Sequence, residues 1–320
     1  MTDHTNSTRE ESRESRIQPP ARRSSGPGRG VLWAALCCSA AALALSIGAL
    51  TMAWPKAEPE PVSEPEAVEA FSPVEYLTYR NHQLPIDGEL AVNAWNPSDF
   101  SRDDRGWTLC EGAGTGIDVS SHQGEIDWER VADSGVEFAM IRAGYRGYGP
   151  EGKLMEDEKF HTNIQGALAA GLDVGVYFFS QATNVWEAEE EAQLLLRSLE
   201  GYPVTYPVVF DWERIHHSAA RTDGVEGKTV TLMAQAFCAQ VEQAGYNPGV
   251  YFNQDMGYLE LELDQLSEHA FWLAEYDAAP EFYYHFDLWQ YTSQGAVPGI
   301  STPVDLNLSF RDFGSQVASS

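Results

Sequence analysis

Two acidic side chains, Asp211 and Glu213, end the stretch YPVVFDWERI at residues 206–215, whose apolar first half is typical of a buried strand. In an extended chain alternate side chains share a face, so both carboxyls point one way and Trp212 points the other. Their Cα atoms then lie roughly 6.5–7 Å apart. Acids this close repel one another, which suits one of them to proton transfer. A solvated turn and a metal site are the alternatives.

Other short apolar runs also end in acidic, basic, amide or aromatic residues. These residues are Asp118, Arg142, Tyr177, Tyr251 with Asn253, Tyr276 with Asp277, Trp289 with Tyr291, and Asp305 with Asn307. Acids among tyrosines and tryptophans suggest a carbohydrate site, because aromatic rings stack on the C–H faces of sugars while carboxyls transfer protons. A Mg²⁺ or Ca²⁺ site would leave the aromatic residues unexplained. His122, His216 and His217 lack the partner spacing of a zinc site, so we expect no metal or cofactor.

Eight apolar runs alternate with amphipathic stretches from residue 116 onward, which is typical of βα units and a parallel sheet. The predicted strands are 116–120, 137–144, 173–179, 206–213, 248–253, 270–276, 287–291 and 304–308. The predicted helices are 127–134, 157–170, 185–199, 231–244 and 264–269. After the sixth strand the connections are too short or too rich in Gly and Pro for helices, so at least one late pairing should be antiparallel. The predicted fold is α/β, an irregular TIM-like barrel of type (β/α)5(β)3 whose site lies at the C-terminal strand ends.

The chain resembles glycoside hydrolase family 25 in five segments that occur in order. They are GIDVSSHQGEIDWERV, FAMIRAGYRGYG, DEKFHTNIQGALAAGLDVGVYFFSQA, YPVVFDWE and LWQYTSQGAVPGISTPVDLNL. Members of this family are muramidases (lysozymes), which cleave the β-1,4 bond between N-acetylmuramic acid and N-acetylglucosamine in peptidoglycan. The resemblance covers about residues 115–313, and it implies the same irregular barrel and peptidoglycan as the partner.

The resemblance also implies roles for individual residues. Glu213 matches the family's general acid, and Asp211 matches an aspartate that positions the N-acetyl group or stabilises the oxocarbenium-like centre. Asp118 and Asp305 match two further acids of the family's catalytic set. The expected substrate-binding residues are Tyr177, Tyr251, Trp289, Tyr291, Asn307 and Arg142. For Arg142, a role as counter-ion to the carboxylates is preferred over direct substrate contact.

One segment departs from the family pattern, because many members have HWQG after the first strand where this chain has SHQG at residues 121–124. The missing tryptophan removes an aromatic contact near the mouth, which bears on substrate affinity rather than on chemistry. An inactive peptidoglycan-binding barrel is the alternative function. The intact acid set favours an enzyme, since a degenerate member would be expected to lose Glu213 first.

Charge is distributed unevenly along the chain, whose net charge is −28. Residues 1–30 contain six arginines and four acids, residues 31–54 contain no charged side chain, and the remainder holds a net −30. So negative a domain is repelled by nucleic acid and by anionic lipid, which excludes electrostatic DNA or RNA binding. We expect a monomer.

The 24 residues of 31–54 predict a transmembrane helix, since they span about 36 Å against a hydrocarbon core of roughly 30 Å. The arginines before it place the N-terminus in the cytoplasm and the catalytic domain outside, as in a single-pass protein of the cell membrane. A cleaved signal peptide is the alternative, but the apolar run is longer than usual for one.

The predicted organisation is a disordered cytoplasmic tail (1–30), a transmembrane anchor (31–54) and a Pro/Glu-rich linker (55–73), followed by two further parts. Residues 74–115 form an extension of unknown role, and residues 116–314 form the catalytic barrel. Cys110 and Cys238 lie in the predicted extracellular part, where a disulfide could persist. The helical pattern around Cys238 instead favours a small buried side chain.

Overall fold

The part of the chain that the computed structural model describes comprises residues 74–215 and 219–314. The predicted tail (1–30), membrane anchor (31–54) and linker (55–73) lie outside it, as do His216 and His217. Among the helices of the described part, none has both the length and the apolar character needed to cross a membrane.

Thirteen strands and five α-helices occur in residues 74–215 and 219–314. The strands are β1 (Tyr76–Tyr79), β2 (His82–Pro85), β3 (Phe100–Arg102), β4 (Thr108–Cys110), β5 (Gly114–Val119), β6 (Phe138–Arg146), β7 (Leu154–Glu156), β8 (Asp173–Ser180), β9 (Val208–Trp212), β10 (Pro248–Asn253), β11 (Ala270–Ala274), β12 (Leu288–Gly295) and β13 (Val304–Ser309). The α-helices are α1 (Trp128–Asp133), α2 (Phe160–Ala169), α3 (Val185–Ser198), α4 (Gly227–Gln243) and α5 (Gln254–Leu259). Short 3₁₀ helices occur at Pro97–Asp99, Ser121–Gln123 and Leu263–Leu266.

Eight of these described strands close into a barrel in the order β5-β6-β8-β9-β10-β11-β12-β13, with β13 returning to β5. Neighbours are parallel from β5 to β12, whereas β13 is antiparallel to both β12 and β5. This confirms the α/β barrel and the expected antiparallel closure. The reason is the short connection between β12 and β13, which allows a hairpin but no crossover.

The connection from β11 to β12 is a parallel crossover without a helix. Its backbone instead pairs with the N-terminal extension: the N–H of Asn93 donates to the Tyr283 carbonyl, and the N–H of His285 donates to the Ala91 carbonyl, each at 2.8 Å. The extension therefore supplies hydrogen-bond partners that a crossover helix would have supplied internally.

Two element predictions differ from the structure. The predicted helix at 264–269 is only a 3₁₀ turn at Leu263–Leu266, and the helix of this connection is α5, which starts directly after β10. The Asn253 side chain caps α5 by accepting from the N–H of Met256 at 3.0 Å, a signal that the sequence prediction missed. Strand β7 was not predicted either, and it pairs antiparallel with the end of β6.

Apolar side chains fill the barrel interior at the end opposite the predicted site. The interior cluster includes Phe138, Met140, Tyr206, Leu288 and Phe313, each at most 7% exposed. Gly116 makes room for this layer, since a Cβ there would overlap the Phe138 ring. With this end filled, the C-terminal strand ends hold the open cavity.

The extension of residues 74–115 forms two hairpins, β1–β2 and β3–β4, that pack on the outside of the barrel. Phe100 meets Trp289 with ring centroids 5.1 Å apart, and Trp95 meets Phe310 at 4.6 Å. Cys110, in β4, and Cys238, in α4, are both buried and not joined, which confirms the preferred prediction over the disulfide.

Candidate active site

A cavity of about 250 Å³ opens at the C-terminal ends of the barrel strands. All four predicted acids line it, as do Tyr177, Tyr251 and Arg142 from the predicted binding set. The four acids are Asp118 on β5, Asp211 on β9, Glu213 just after β9 and Asp305 on β13. Strand pairing brings two of them together directly, because Asp305 is the register partner of Asp118.

Asp211 and Glu213 keep the alternation that the sequence predicted. Asp211 is 5% exposed inside the barrel, while Trp212 points outward and its Nε1 donates to the Ala182 carbonyl at 2.9 Å. Glu213 lies beyond the last strand residue and is half-buried. Its backbone carbonyl accepts from Gln181 Nε2 at 2.7 Å, which fixes the turn that directs the side chain.

Asp118 is held by two amide side chains. Gln290 Nε2 and Asn307 Nδ2 both donate to its Oδ2, at 2.9 and 2.8 Å. Asn307 is fully buried, and its own Oδ1 accepts from Trp272 Nε1 at 2.9 Å. The prediction that Asn307 binds substrate is therefore corrected: the residue positions Asp118 from below the cavity.

Tyr251 continues this network on the opposite wall. Its hydroxyl donates to Gln290 Oε1 at 3.0 Å, and the hydroxyl of Tyr276 donates to the same oxygen at 2.7 Å. Gln290 is thus oriented with its amide nitrogen toward Asp118. These bonds pre-arrange the acid before any substrate arrives.

Burial raises the pKa of all four carboxyls, and repulsion from neighbouring acids adds to it at Asp118, Asp211 and Glu213. Burial and then the charge of Asp305 raise the pKa of Glu213 to about 7. Burial raises the pKa of Asp305 to about 6. Burial, Glu213 and Asp118 raise the pKa of Asp211 well above its usual value. Burial and Asp305 do the same for Asp118, against the opposing effect of its amide donors. The cluster therefore shares protons near neutral pH.

The charge that holds up the pKa of Glu213 differs from the one expected. The sequence suggests Asp118 and Asp211 as the anions that raise this pKa, whereas in the structure burial is the largest cause and the charge of Asp305 adds to it. Glu213 in turn raises the pKa of Asp211. No described residue hydrogen-bonds to the Glu213 carboxyl, and Asp211 Oδ1 is buried without a partner.

Arg142 lines the cavity but is engaged elsewhere. Its guanidinium binds Asp157 at 2.7–2.8 Å, and Nη2 also donates to Ser121 Oγ at 3.2 Å. Arg142 does not bond to the cavity acids, but its charge lowers the pKa of Asp211 against the effect of burial. The predicted role as counter-ion is therefore limited to this long-range effect. The acid cluster therefore has no directly bonded cation among the described residues.

Trp289 and Tyr291 do not line the cavity, which corrects their predicted role as a sugar platform there; Tyr291 lines a neighbouring groove instead. Alternation along β12 points Gln290 into the barrel and turns both aromatic side chains outward. Trp289 is fully buried against Phe100, and its Nε1 donates to the Glu275 carbonyl at 2.8 Å.

The aromatic wall of the cavity comes instead from Tyr177, Tyr251, Trp272 and Tyr276. Trp272 packs edge-on against Tyr177 and Tyr251, with centroids 5.8 and 4.9 Å away. Trp272 and Gln290 line the cavity but were not among the predicted site residues. A polar residue between two aromatic ones in WQY was the available signal for Gln290.

His122 lines the cavity within the 3₁₀ turn Ser121–Gln123. Ser120 caps this turn by accepting from the N–H of His122 at 3.2 Å. Within the described part of the chain, no group of three or more His, Cys, Asp or Glu side chains is arranged to hold a metal ion.

Comparison with protein families identifies the barrel. The model for "Glycosyl hydrolases family 25" matches residues 117–300. The chain belongs to this family. It is accordingly a glycoside hydrolase, and the match includes Asp118, Asp211 and Glu213 but ends before Asp305.

Individual relatives of this family 25 chain cover the same part. YegX of Escherichia coli K12 is 30% identical over 204 residues, which are 60% of this chain and 68% of YegX. Lysozyme M1 of Streptomyces globisporus is 27% identical over 205 residues, which are 60% of this chain and 66% of that lysozyme. Both matches leave a large share of the chain without a counterpart.

The fold agrees with that of the modular autolysin LytC from Streptococcus pneumoniae, solved in complex with a synthetic peptidoglycan ligand. The superposition has a TM-score of 0.56 at 24% identity and covers 74% of this chain. It spans about half the length of LytC, at 52%. This likeness concerns the fold alone.

Proposed function

We propose that this family 25 protein is a muramidase that hydrolyses the β-1,4 bond between N-acetylmuramic acid and N-acetylglucosamine in peptidoglycan. The main support for this proposal is the cavity, because four carboxyls line it and the pKa of Glu213 is raised to about 7. An acid of that pKa keeps its proton in about half of the molecules at neutral pH, so it can donate a proton to a leaving oxygen. The lysozyme among the relatives supports the substrate class.

Glu213 is the proposed general acid. It donates its proton to the glycosidic oxygen as the bond from the muramic C1 breaks, and the bonding electrons leave with that oxygen. Positive charge then develops at C1 and the ring oxygen. Water adds its oxygen to C1 and releases a proton to the ionised carboxyl cluster, which restores the starting protonation.

Asp211 is the proposed partner of the sugar's N-acetyl group or of the developing positive charge. Its Oδ1 is buried and has no hydrogen-bond partner among the described residues, so an incoming amide N–H would satisfy it. Asp118 is oriented by Gln290 and Asn307 and supplies further negative potential. Such fixed charges stabilise an oxocarbenium-like transition state without reorganisation.

Digestion of purified peptidoglycan tests this proposal. Full-length protein in detergent should release fragments whose new reducing end is N-acetylmuramic acid, identified by mass spectrometry. Reducing ends of N-acetylglucosamine would indicate a different glycosidase. Binding without any new reducing end would support the inactive barrel instead.

We also propose that the enzyme is anchored in the cell membrane, with the catalytic domain outside. Support comes from the uncharged residues 31–54, the preceding arginines and the Pro/Glu-rich residues 55–73. An extended linker of 19 residues reaches at most about 60 Å, which restricts the barrel to nearby wall. Cell fractionation tests this: full-length protein should need detergent for release from membranes, whereas a shorter form in the medium would mean a cleaved signal.

A further inference from the structure

A second groove adjoins the catalytic cavity, and the N-terminal extension builds part of it. This groove, of about 500 Å³, is lined on one side by Arg102, Arg105 and Trp107 of the β3–β4 hairpin. Its other side comes from the barrel, mainly from Tyr291 to Ala296 on β12 and just after it. Tyr276 lines both this groove and the catalytic cavity, so the two adjoin at this side chain. We call it the hairpin groove.

The hairpin groove differs in charge from the rest of the chain. Two arginines and a single aspartate, Asp277, are its charged lining residues within the described part, although residues 55–320 carry a net −30. On the other side of Tyr276 a groove contains Asp255, Glu275 and Glu281, and Arg80 there is paired with Asp255 at 2.9 Å. An elongated ligand leaving the cavity therefore meets positive charge on one side and negative charge on the other.

Arg105 is fixed in this groove. Its guanidinium lies 3.8 Å from the centroid of the buried Trp107 ring, and its Nη1 donates to the Ser134 carbonyl at 2.6 Å. Asp103 accepts from its Nε at 2.7 Å and neutralises part of its charge. Arg105 thus shapes the groove wall.

Arg102 carries the uncompensated charge. It lies on the same face of β3 as Phe100, which packs on Trp289 of the barrel, so it faces the groove. It is exposed, and within the described residues no carboxylate pairs with it. Its charge acts on the groove wall, since it lowers the pKa of Tyr291 against burial. An exposed arginine of this kind is suited to bind a carboxylate.

We propose that the hairpin groove is a subsite of the catalytic cleft that binds the carboxylates of the peptide stem on the glycan's muramic acid. This inference rests on the proposed muramidase function. The stem branches from the sugar that occupies the cavity, and it carries carboxylates, which Arg102 matches in charge. Arg102 and Arg105 lie before residue 117, where the family match begins. Recognition of the stem carboxylates would therefore be a property of the N-terminal extension.

Charge reversal of Arg102 tests the subsite, with the full-length protein in detergent and two soluble substrates. One substrate is glycan strands that carry peptide stems, and the other is the same strands after an amidase has removed the stems. Arg102→Glu should raise KM about three- to tenfold on the stem-bearing strands, as expected for an exposed charge pair, and leave kcat unchanged. KM on the stem-free strands should stay within about twofold of wild type. Because the charges are exposed, 0.5 M salt should shrink the difference.

Arg197→Glu is the matched control, because Arg197 is equally exposed but lies in the last turn of α3, at the opposite end of the barrel. It should change neither KM, and Arg102→Lys should recover most of the affinity. Equal KM values for Arg102→Glu and wild type on stem-bearing strands would overturn the proposal, as would a change of the same size on both substrates. The proposal would also be overturned if Arg102→Glu raised KM only on intact cell walls that carry phosphate polymers and not on the soluble stem-bearing strands. Failure of the wild-type protein to cleave either substrate would instead refute the proposed function.

Discussion

Glu187 and Glu213 are two half-buried glutamates that follow neighbouring barrel strands at the same end of the fold. Glu187 lies in the first turn of α3, where Arg221 donates to both of its carboxylate oxygens at 2.5 and 2.8 Å. The Thr183 N–H adds a third bond at 2.8 Å. Burial raises the pKa of Glu187, but these bonds outweigh it and lower the value to about 2.

Glu213 is buried more deeply than Glu187 and lies in the opposite electrostatic environment. Burial raises its pKa, and the charge of Asp305 raises it further to about 7, with no arginine to offset either effect. Two carboxyls of one residue type thus differ by roughly five pH units. Deeper burial, and a neighbouring carboxylate in place of an arginine, together separate the acid that can deliver a proton from the one that holds the structure together.

Removal of the Glu213 carboxyl should have the largest effect. Glu213→Gln keeps the shape but cannot donate a proton, so kcat on peptidoglycan should fall about 10²–10⁴-fold. Glu187→Gln is the matched control and should retain kcat within about threefold. Reducing-end release by the purified variants measures both. A Glu213→Gln enzyme with more than about a tenth of wild-type kcat would remove this residue from the acid's role.

Removal of the Asp305 charge should shift the pH dependence. Glu213 works protonated, so activity is lost as pH rises through its pKa of about 7. Asp305→Asn removes the repulsion, and the pKa of Glu213 should fall toward its ordinary value. The alkaline limb of the kcat/KM profile should therefore move to lower pH, whatever the loss in overall rate.

Asp277→Asn serves as the control for this shift. Asp277 lies beside the cavity mouth but is not among the charges that raise the pKa of Glu213. Its profile should superimpose on that of the wild type. If the Asp305→Asn profile also superimposes, the two acids are not electrostatically coupled.

Much of the barrel could be predicted because its signals are local. Apolar runs bounded by Gly, Pro or polar residues gave all eight barrel strands, and α3 was placed to within one residue of its end. The extension was harder, because β1 to β4 are three or four residues long and pair within themselves. Their packing depends on contacts such as Phe100 with Trp289, which are remote in sequence and have no period.

The acids of the site could be predicted for the same reason, since each stands at a strand end. The residues that form the wall of the site could not be predicted from composition alone. In WQY the aromatic residues suggested a sugar platform, yet alternation turns Gln290 inward and Trp289 outward. The charge partner of Glu213 depends on which strand closes the barrel, and β13 brings Asp305 there from 92 residues away only in the folded chain.

Loss of the Glu187–Arg221 pair should destabilise the fold. Glu187→Gln leaves the largely buried Arg221 without its carboxylate, and the free energy of unfolding at pH 7 should fall by about 2 kcal/mol. The folded pKa of about 2 lies below the unfolded value near 4.5, so this stabilisation is present above pH 4.5 and is lost as pH falls through 2. Urea unfolding at pH 7 and pH 3 should show the difference shrinking. Equal stability at pH 7 would contradict a structural role for the pair.

Glu213→Gln should change the free energy of unfolding in the opposite direction, by stabilising the fold. Because the folded pKa of Glu213, about 7, lies above the unfolded value near 4.5, both states are protonated at pH 4 and the carboxyl then costs no stability. As pH rises from 4.5 to 7 the unfolded state ionises first, and wild-type stability falls relative to a neutral amide. At pH 8 Glu213→Gln should therefore be more stable than wild type by about 3 kcal/mol, with almost no difference at pH 4. Urea unfolding at the two pH values measures this. A variant that is less stable than wild type at pH 8 would mean that Glu213, like Glu187, is held by a favourable partner, and the contrast between the two glutamates would fail.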